Sequence, residues 1–411
     1  MSNNLSKRIN YLIYYESIYQ CAPWINSISI FLEKGFKVNV FQQDKRYIKY
    51  NKFSPKDNLS IYDTNINIVL NYLLQGMNKS ASLLSKAGFF YVKTVTNKIN
   101  DFIRSKHFIR SVWKNKSYFN EGDIIIAGDP VSIYIANNIS THINVKLVFW
   151  NLELYIESEL SDSQKLKWKR IEKECSKRAQ IVLEFGNIRR NILIEENKLN
   201  PQKVLVIPNS PIGEGKILRN TYFNEKFNIP LNKKIILSAG GISEVNGLSE
   251  LIYTAQNLSD NYVIILHSKI FTKNKYYNIS DKLFFNFDPL PYDKIDLVYS
   301  SCDIGIMIMR PNDKASFTNH TYVDWSSGKL FNYAKFGKPL LTNNVPGFDE
   351  LIINRGAGIC FSSRDEIPLG IDKIISNYKV FSMASLSLFN ELKFEKYHEM
   401  FYHRIFENQI G

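Results

Sequence analysis

The chain has 411 residues, of which 45% are hydrophobic and 22% are charged, and its formal net charge is +13. At roughly 150 residues per domain, this length predicts two or three globular domains with a large core. We find no run of about 18 apolar residues that could span a bilayer. Residues 1–10 are polar before a short apolar run and lack the features of a signal peptide.

Cysteines, histidines and charge restrict the chemistry further. Cys21, Cys175, Cys302 and Cys360 form no Cys-x-x-Cys pair, so we interpret them as reduced thiols of a cytosolic protein. The six histidines are scattered, and we expect no metal site. The positive charge would suit nucleic acid, an anionic membrane surface or anionic substrates. Because no zinc-finger spacing or aromatic RNA-binding signature accompanies the charge, we expect no nucleic-acid partner.

The chain opens with the pattern of a parallel sheet. An apolar strand at residues 10–15 is followed by a helical stretch at 22–34, a closing Gly35 and a second strand at 37–41. Strand, helix and strand in this order form a βαβ unit. Four more strand patterns continue the first half, at residues 123–127, 146–150, 180–183 and 204–207.

Residues 79–119 interrupt this series with a basic, aromatic-rich and largely helical segment. The segment contains nine Lys or Arg residues and one acidic residue, Asp101. One interpretation is a solvated helical insertion with a basic outer face. A second is an interfacial helix region that docks on anionic lipid. A third, less favoured, is a nucleic-acid surface.

Two acidic residues follow strands of the first half. Asp129 comes after the strand at 123–127, and Glu153 comes after the strand at 146–150. Open α/β sheets bind their ligands beyond the carboxyl ends of the strands, so both residues are candidate catalytic carboxylates. Either residue could instead cap the helix that follows it.

The strongest break in the chain, at residues 208–213, predicts a domain boundary. Further strand patterns follow it, at residues 234–238, 262–266, 284–287, 303–309, 338–342 and 358–361. The sequence therefore predicts an α/β protein with two Rossmann-like parallel-sheet domains, residues 1–210 and 211–385, facing a central cleft. We expect the C-terminal helix at 386–411 to pack back on the first domain.

The stretch from Ser326 to Pro339 predicts a bounded helix with an anion site at its start. Ser326 or Ser327 can act as the N-cap, and Gly337 is the expected C-terminal stop. A helix start that carries hydroxyls, Gly328 and Lys329 can bind an anion. The alternative is an ordinary capped helix. The stretch is not a Walker A loop, because no Ser or Thr follows Lys329.

Two further loops of the second half offer phosphate-binding features. Gly240 and Gly241 follow a strand and permit close approach of a phosphate to the backbone, and Asn246 lies in the same loop. Any tight turn after a strand favours glycine, so this signal is weak alone. Lys269 follows the next strand.

Taken together, these stretches resemble the GT-B glycosyltransferases, specifically the family 4 group of bacterial surface-polysaccharide assembly. The resemblance covers nearly the whole chain and rests on residues 123–130, 148–155, 204–208, 237–248, 303–309, 326–339 and 345–347. It implies a hexosyltransferase-type enzyme that binds a nucleotide-sugar donor mainly through its second domain. A glycan or lipid-linked acceptor would lie against the first domain, without metal or a separate cofactor. Such an enzyme would be cytoplasmic and peripheral on the inner face of the plasma membrane.

Site residues follow from the resemblance position by position. Asp324 and Asn332 match two glutamates of the family, so Asp324 would touch the transferred sugar and Asn332 the ribose. Gly241 and Asn246 match an Arg and a Lys that the family often places on the diphosphate. Here Lys329, together with Lys269 and the helix start, would have to neutralise that charge.

The sequence leaves alternatives open for both the mechanism and the activity. With retention of configuration, the leaving phosphate itself would deprotonate the acceptor, and the resemblance leans towards this outcome. With inversion, Glu153 or Asp129 must be the base. A catalytically silent homologue that binds an acceptor or a partner subunit is the alternative to an enzyme. A nucleotide-sugar epimerase on the same architecture is a further one.

Overall fold

The computed structural model describes residues 8–15, 18, 21–43, 58–64, 68–86, 90–268, 279–288, 290, 294–311 and 317–406. The chain divides into two compact units. The first unit comprises Met1–Glu184 and Arg190–Leu205, and the second comprises Phe185–Arg189 and Val206–Gly411. The short segment Phe185–Arg189 thus belongs to the second unit although its neighbours in the sequence belong to the first.

A seven-stranded sheet forms the centre of the first unit, with strand order β3-β2-β1-β4-β5-β6-β7. Its strands are β1 (Arg8–Ile13), β2 (Lys37–Gln42), β3 (Leu59–Asp63), β4 (Ile124–Ala127), β5 (Lys146–Trp150), β6 (Ile181–Glu184) and β7 (Val204–Val206). The neighbours from β3 to β6 pair in parallel. Continuous apolar strands such as β4 are buried along their whole length, as expected of a parallel sheet covered on both faces.

Helices cover this sheet, and they are α1 (Ala22–Glu33), α2 (Ile68–Lys86), α3 (Phe90–Lys114), α4 (Pro130–Ser140), α5 (Ser163–Ser176) and α6 (Asn187–Asn197). Trp24 of α1 is buried and packs edge-on against Trp150 of β5. The Trp24 indole also lies over Gly128, where a Cβ atom would overlap it. Close packing at the end of β4 therefore requires glycine at that position.

Helices α2 and α3 form the basic segment that the sequence set apart, and they pack against each other. The helical prediction for this segment is confirmed, although the first helix begins at Ile68, earlier than expected. Phe108 and Val112 of α3 are fully buried in the core of the first unit. The helix pair is therefore anchored to the sheet layer rather than attached as a separate lobe.

A six-stranded sheet forms the centre of the second unit, in the order β10-β9-β8-β11-β12-β13. Its strands are β8 (Lys234–Ala239), β9 (Tyr262–His267), β10 (Leu283–Asn286), β11 (Ile304–Met307), β12 (Leu340–Asn343) and β13 (Gly358–Phe361). Every neighbouring pair is parallel. The predicted fold class, α/β with two parallel sheets, is confirmed.

The helices of the second unit are α7 (Tyr222–Phe227), α8 (Leu248–Asn257), α9 (Ile295–Ser300), α10 (Phe317–Thr321), α11 (Gly328–Lys335), α12 (Glu366–Ser376), α13 (Tyr378–Glu391) and α14 (Phe394–Phe406). A short π-helical turn, Asp349–Ile353, follows β12. Helix α14 packs within this unit, where Tyr397 meets Trp325 edge-on at 5.6 Å between ring centres. Its packing on the first domain stays a prediction. No helix in the described part of the chain is long and apolar enough to cross a membrane.

Candidate functional site

Tyr333 fixes the helix that carries most of the predicted site residues. Its hydroxyl donates to the carbonyl oxygen of Leu237 at 2.7 Å and accepts from the amide of Ala239 at 3.0 Å. Its ring occupies the space above Gly305 of the neighbouring strand β11, where a Cβ atom would overlap it. Helix α11 is therefore held directly against the carboxyl end of strand β8.

Lys329, in the first turn of α11, lies across the backbone of Gly240. A Cβ atom on residue 240 would lie 2.6 Å from the Lys329 Nζ, so a larger residue there would displace the end of this side chain. Gly240 also has a φ of +123°, in the region that disfavours other residues. Lys329 Nζ donates to Asn246 Oδ1 at 3.2 Å. Desolvation lowers the pKa of Lys329 to about 8.

Asn246 closes the loop that Lys329 spans. It ends a short 3-10 helix, Glu244–Asn246, and is followed by Gly247 at a φ of +73°. Its Nδ2 donates to Ser243 Oγ at 2.9 Å, which turns its carbonyl oxygen towards Lys329. A Cβ atom on Gly241 would lie 3.1 Å from that same Nδ2. The structure thus brings together four predicted site residues: Gly240, Gly241, Asn246 and Lys329.

The start of α11 differs from the prediction in one respect. Ser327 occupies the N-cap position, but its side chain makes no capping hydrogen bond. Its hydroxyl lies 2.9 Å from the sulfur of Met307 at the end of β11. The expected capping by the Ser327 hydroxyl, or by Ser326, is therefore wrong, because tertiary packing directs the hydroxyl sideways. The helix does end as predicted, with Gly337 at a φ of +61°.

Asn209, for which no role was predicted, supports this helix start. Its backbone amide donates to the carbonyl oxygen of Trp325 at 2.9 Å, and its Nδ2 donates to that of Ser326 at 2.8 Å. A Cβ atom on Gly328 would lie 3.3 Å from Asn209. The available signal was its place between two prolines in the break at residues 208–213, which indicates a fixed backbone.

Asn332 lies one turn further along α11. Its Nδ2 donates to the carbonyl oxygen of Gly328 at 2.7 Å, and the residue is half-buried. This bond orients the amide so that its Nδ2 is turned towards the helix start. The predicted contact with a ribose is not tested by this geometry and stays a prediction.

Asp324 is buried between two glycines of the second unit. A Cβ atom on Gly347 would lie 2.9 Å from the Asp324 Cβ, and one on Gly186 would lie 3.2 Å from its Oδ2. Gly347 has a φ of +89° and belongs to the Pro-Gly turn that follows β12. Asp324 is thus fixed in place by close backbone approach on two sides. Its contact with a sugar stays a prediction.

In the first unit, Asp129 is the N-cap of helix α4. Its Oδ1 accepts from the amides of Val131 at 3.0 Å and Ser132 at 2.9 Å. Its Oδ2 accepts from the Ser132 hydroxyl and from the amide of Tyr14, both at 2.7 Å. Burial raises the pKa of Asp129, and the bonds from Ser132 and Tyr14 oppose that shift. The capping interpretation of Asp129 is confirmed, and a role as base stays a prediction that these four bonds disfavour.

Two other predicted site residues, Glu153 and Lys269, each follow a strand. Glu153 lies exposed in the loop after β5. Lys269 lies outside the described residues.

Among the residues that the structure describes, no group of three or more His, Cys, Asp or Glu side chains is placed to hold a metal ion. Metal independence nevertheless stays a prediction.

Comparisons with solved structures identify the fold. HepE of Anabaena in complex with UDP-glucose matches with a TM-score of 0.63 and 12% identity, over 96% of this chain and 98% of that chain. Sucrose-phosphate synthase of Thermosynechococcus elongatus matches with a TM-score of 0.64 and 12% identity, over 98% and 100%. The chain has the GT-B fold. A UDP-forming α,α-trehalose-phosphate synthase of Burkholderia vietnamiensis also matches, with a TM-score of 0.59 and 8% identity over 97% and 99%.

The GT-B fold covers both units, in agreement with the resemblance inferred from the sequence. A scan against protein-family models finds no match, and a search of curated protein sequences finds none either. At 8–12% identity these structures establish the fold of the chain and leave its activity to be argued from its own residues.

Proposed function

We propose that this protein is a glycosyltransferase that takes a sugar from a nucleotide-sugar, most simply a UDP-sugar. The observation that carries the proposal is the position of Lys329 over Gly240, at the start of a helix and at the carboxyl end of strand β8. A desolvated ammonium group beside backbone N–H groups favours a diphosphate. Two of the similar structures are described as a complex with UDP-glucose and as a UDP-forming synthase, which supports uracil as the base of the donor.

The proposed reaction needs little more than positioning and charge stabilisation. The bond between the anomeric carbon and the diphosphate oxygen breaks, and the acceptor oxygen forms the new bond to that carbon. The acceptor proton moves to the leaving phosphate with retention, or to a carboxylate of the first unit with inversion. Lys329 and the N–H groups at Gly328 stabilise the negative charge that develops on the leaving diphosphate. Asp324 would orient the transferred sugar.

Retention is the outcome we favour for the stereochemistry. Inversion needs a base, and Asp129 already accepts five hydrogen bonds, two of them from the helix amides that it caps. Glu153 remains the other candidate for the base in the first unit. No divalent metal is required in this scheme, because Lys329 and the helix start supply the positive charge.

We further propose an acceptor on a membrane lipid, as in the assembly of a bacterial surface polysaccharide, with docking through helices α2 and α3. Among the side chains of these helices that the structure describes, seven large apolar ones are exposed, namely Tyr72, Leu73, Met77, Leu83, Leu84, Ile99 and Phe102. Basic residues on the same helices are also exposed, among them Lys79, Lys86, Lys93, Lys106 and Arg110. Apolar groups that insert and cations that meet anionic headgroups are the two parts of interfacial binding.

A nucleotide panel tests the proposed function most directly. We expect UDP to raise the melting temperature of the wild-type protein more than ADP or GDP does, with or without EDTA. The Lys329→Ala variant should keep its fold and lose most of this shift. UDP-sugars should also be hydrolysed slowly to free UDP. Binding of UDP without any release of UDP, in the presence of lysate glycans and lipids, would favour the silent homologue. Absence of binding by every nucleotide would overturn the donor site.

A further inference from the structure

We propose that Tyr15 and Asp101 form a subsite for the acceptor sugar in the first unit, with the Tyr15 ring as a stacking platform and the Asp101 carboxylate as a hydrogen-bond acceptor for sugar hydroxyls. The proposal rests on the proposed glycosyltransferase function and assigns residues on the acceptor side of that reaction. Both residues lie at the carboxyl edge of the first sheet, Tyr15 just after strand β1 and Asp101 on helix α3.

The Tyr14-Tyr15 pair is held rigidly although it lies in a loop. Asp129 Oδ2 accepts from the amide of Tyr14 at 2.7 Å and from that of Tyr15 at 3.4 Å. The buried Tyr14 ring packs edge-on against Tyr15, with 4.9 Å between ring centres, and in a tilted arrangement against Phe108 at 5.5 Å. Tyr15 as a whole residue is 41% exposed. Backbone and neighbouring ring are thus fixed while Tyr15 remains accessible.

Asp101 is tied to the same pair from the other side. Its Oδ1 accepts from the Tyr14 hydroxyl at 3.0 Å, and its Oδ2 accepts from Gln164 Nε2 at 2.5 Å. A carboxylate can accept about four hydrogen bonds. Asp101 can therefore accept about two more hydrogen bonds in addition to those from Tyr14 and Gln164. Desolvation raises the pKa of Asp101, and a desolvated carboxylate gains strongly from further donors such as sugar hydroxyls.

Helix α3 is also fastened at this edge by an ion pair. Lys98 Nζ lies 3.2 Å from Asp162 Oδ2, and Asp162 caps helix α5 through the amides of Gln164 and Lys165. The helix that exposes the basic and apolar surface described above therefore also positions Asp101. A sugar bound here would lie beside the element that we propose to dock on lipid.

The chemistry of the pair suits a pyranose. Tyrosine offers a large, rigid and amphipathic surface at low conformational cost, and the apolar face of a sugar ring can pack on it. The Asp101 carboxylate, which is bonded to the neighbouring Tyr14, can accept hydroxyl hydrogens in the charge-assisted geometry that gives the stronger hydrogen bonds. One aromatic face and one carboxylate would together distinguish a sugar from a simple alcohol or a lipid tail.

The test measures sugar binding to the full chain by saturation-transfer NMR in excess UDP. The probes are methyl glycosides of glucose, galactose, mannose and N-acetylglucosamine, each also titrated for its dissociation constant. We expect at least one glycoside to bind the wild type. Tyr15→Ala and Asp101→Asn should each weaken it at least fivefold, whereas Tyr15→Trp should retain binding. Tyr118→Ala is the matched control, since Tyr118 is 39% exposed but precedes strand β4.

The outcomes separate this proposal from the proposed function. The melting-temperature shift with UDP checks the fold and the donor site of every variant and should be unchanged by Tyr15→Ala and Asp101→Asn. UDP binding without binding of any glycoside would overturn the subsite and leave the donor site intact. Equal glycoside binding by wild type, Tyr15→Ala and Asp101→Asn would overturn it too. A purely packing role for Asp101 would lower the melting temperature of Asp101→Asn without changing the glycoside affinity.

Discussion

The side chain of Lys329 crosses the backbone of Gly240 and ends 3.2 Å from the carbonyl oxygen of the Asn246 side chain. Lys329 thus forms one polar surface with Gly240 and Asn246, two residues of a loop that lies more than eighty residues earlier in the sequence. Since desolvation already lowers the pKa of Lys329 to about 8, this group titrates within an accessible pH range.

UDP should bind more weakly as the pH rises from 7 to 9. Below pH 8 the free protein carries a charged Lys329, which can pair with a diphosphate. A bound diphosphate favours the charged form and raises its pKa, so binding above pH 8 takes up a proton. The dissociation constant should then rise by up to about tenfold per pH unit. Calorimetry at several pH values measures this slope.

The Lys329→Arg variant is the control for that pH series. Arginine stays charged throughout the range, so its slope should be nearly flat, and it also reports any titration of UDP itself. A wild-type dissociation constant that is equal at pH 7 and pH 9 would contradict the role of Lys329.

Gly240→Ala should reduce UDP affinity about 10- to 100-fold, the value of a charge-assisted contact of roughly 1.5–3 kcal/mol. The added Cβ would collide with Lys329 and would also strain a backbone at φ +123°. Gly241→Ala is the neighbouring control, because its Cβ would meet only Asn246 Nδ2, at 3.1 Å, and we expect less than a threefold change. Equal effects of the two substitutions on UDP titrations would argue against displacement of Lys329.

Tyr333→Phe should lower the free energy of unfolding by about 1–3 kcal/mol, measured in urea. The change leaves the carbonyl of Leu237 and the amide of Ala239 without their hydroxyl partner in a fully buried place. Tyr397→Phe, at a half-buried ring on α14, should change stability by less than about 0.5 kcal/mol. If Tyr333→Phe is as stable as wild type, helix α11 is held in place by packing alone.

Asp129→Ala should destabilise the protein by about 2–4 kcal/mol, since it removes a helix cap and leaves the buried amide of Tyr14 unsatisfied. Glu153→Ala, at an exposed position, should leave the unfolding free energy within about 0.5 kcal/mol. If the Asp129→Ala protein is instead as stable as wild type but no longer transfers sugar, Asp129 acts as a base rather than as a cap.

Binding to vesicles that contain anionic lipid should weaken at least tenfold in the Leu73→Asp/Leu83→Asp double variant. These side chains are 59% and 68% exposed, and insertion of a leucine contributes about 1.5–3 kcal/mol. The matched control is Leu231→Asp/Leu369→Asp in the second unit, at 73% and 69% exposure. Co-sedimentation should also decrease as salt rises, because the Debye length is about 10 Å at 0.1 M. Equal wild-type binding to neutral and anionic vesicles, or none to either, would leave a solvated insertion.

The sequence was sufficient where local patterns determine structure. Strand β4 is a run of apolar residues between polar ones, and Gly337 ends its helix with the positive φ that glycine permits. Strand β3 was not predicted, because this edge strand is short and only half-buried, so its residues lack a continuous apolar pattern.

The parts of the site that escaped prediction depend on distant contacts. Nothing near Ser327 in the sequence indicates that its hydroxyl meets Met307. Asn209 supports the helix start across more than a hundred residues, which no local pattern reveals. Asp129 illustrates a different limit, since a carboxylate after a strand reads the same whether it caps a helix or binds a ligand. Only the hydrogen bonds that its carboxylate accepts in the structure distinguish a helix cap from a ligand-binding residue.

The assignment of Phe185–Arg189 to the second unit bears on how such a gene could recombine. The segment contributes the Arg189 hydrogen bond to Asn319, at 2.8 Å, and the glycine at 186 that makes room for Asp324. A single crossover after residue 205 would take residues 206–411 from one parent gene. Residues 185–189 would then come from the other parent, although they belong to the same unit as residues 206–411. Chimeras with related proteins should therefore inherit an intact second unit only when residues 185–189 come from the same parent as residues 206–411.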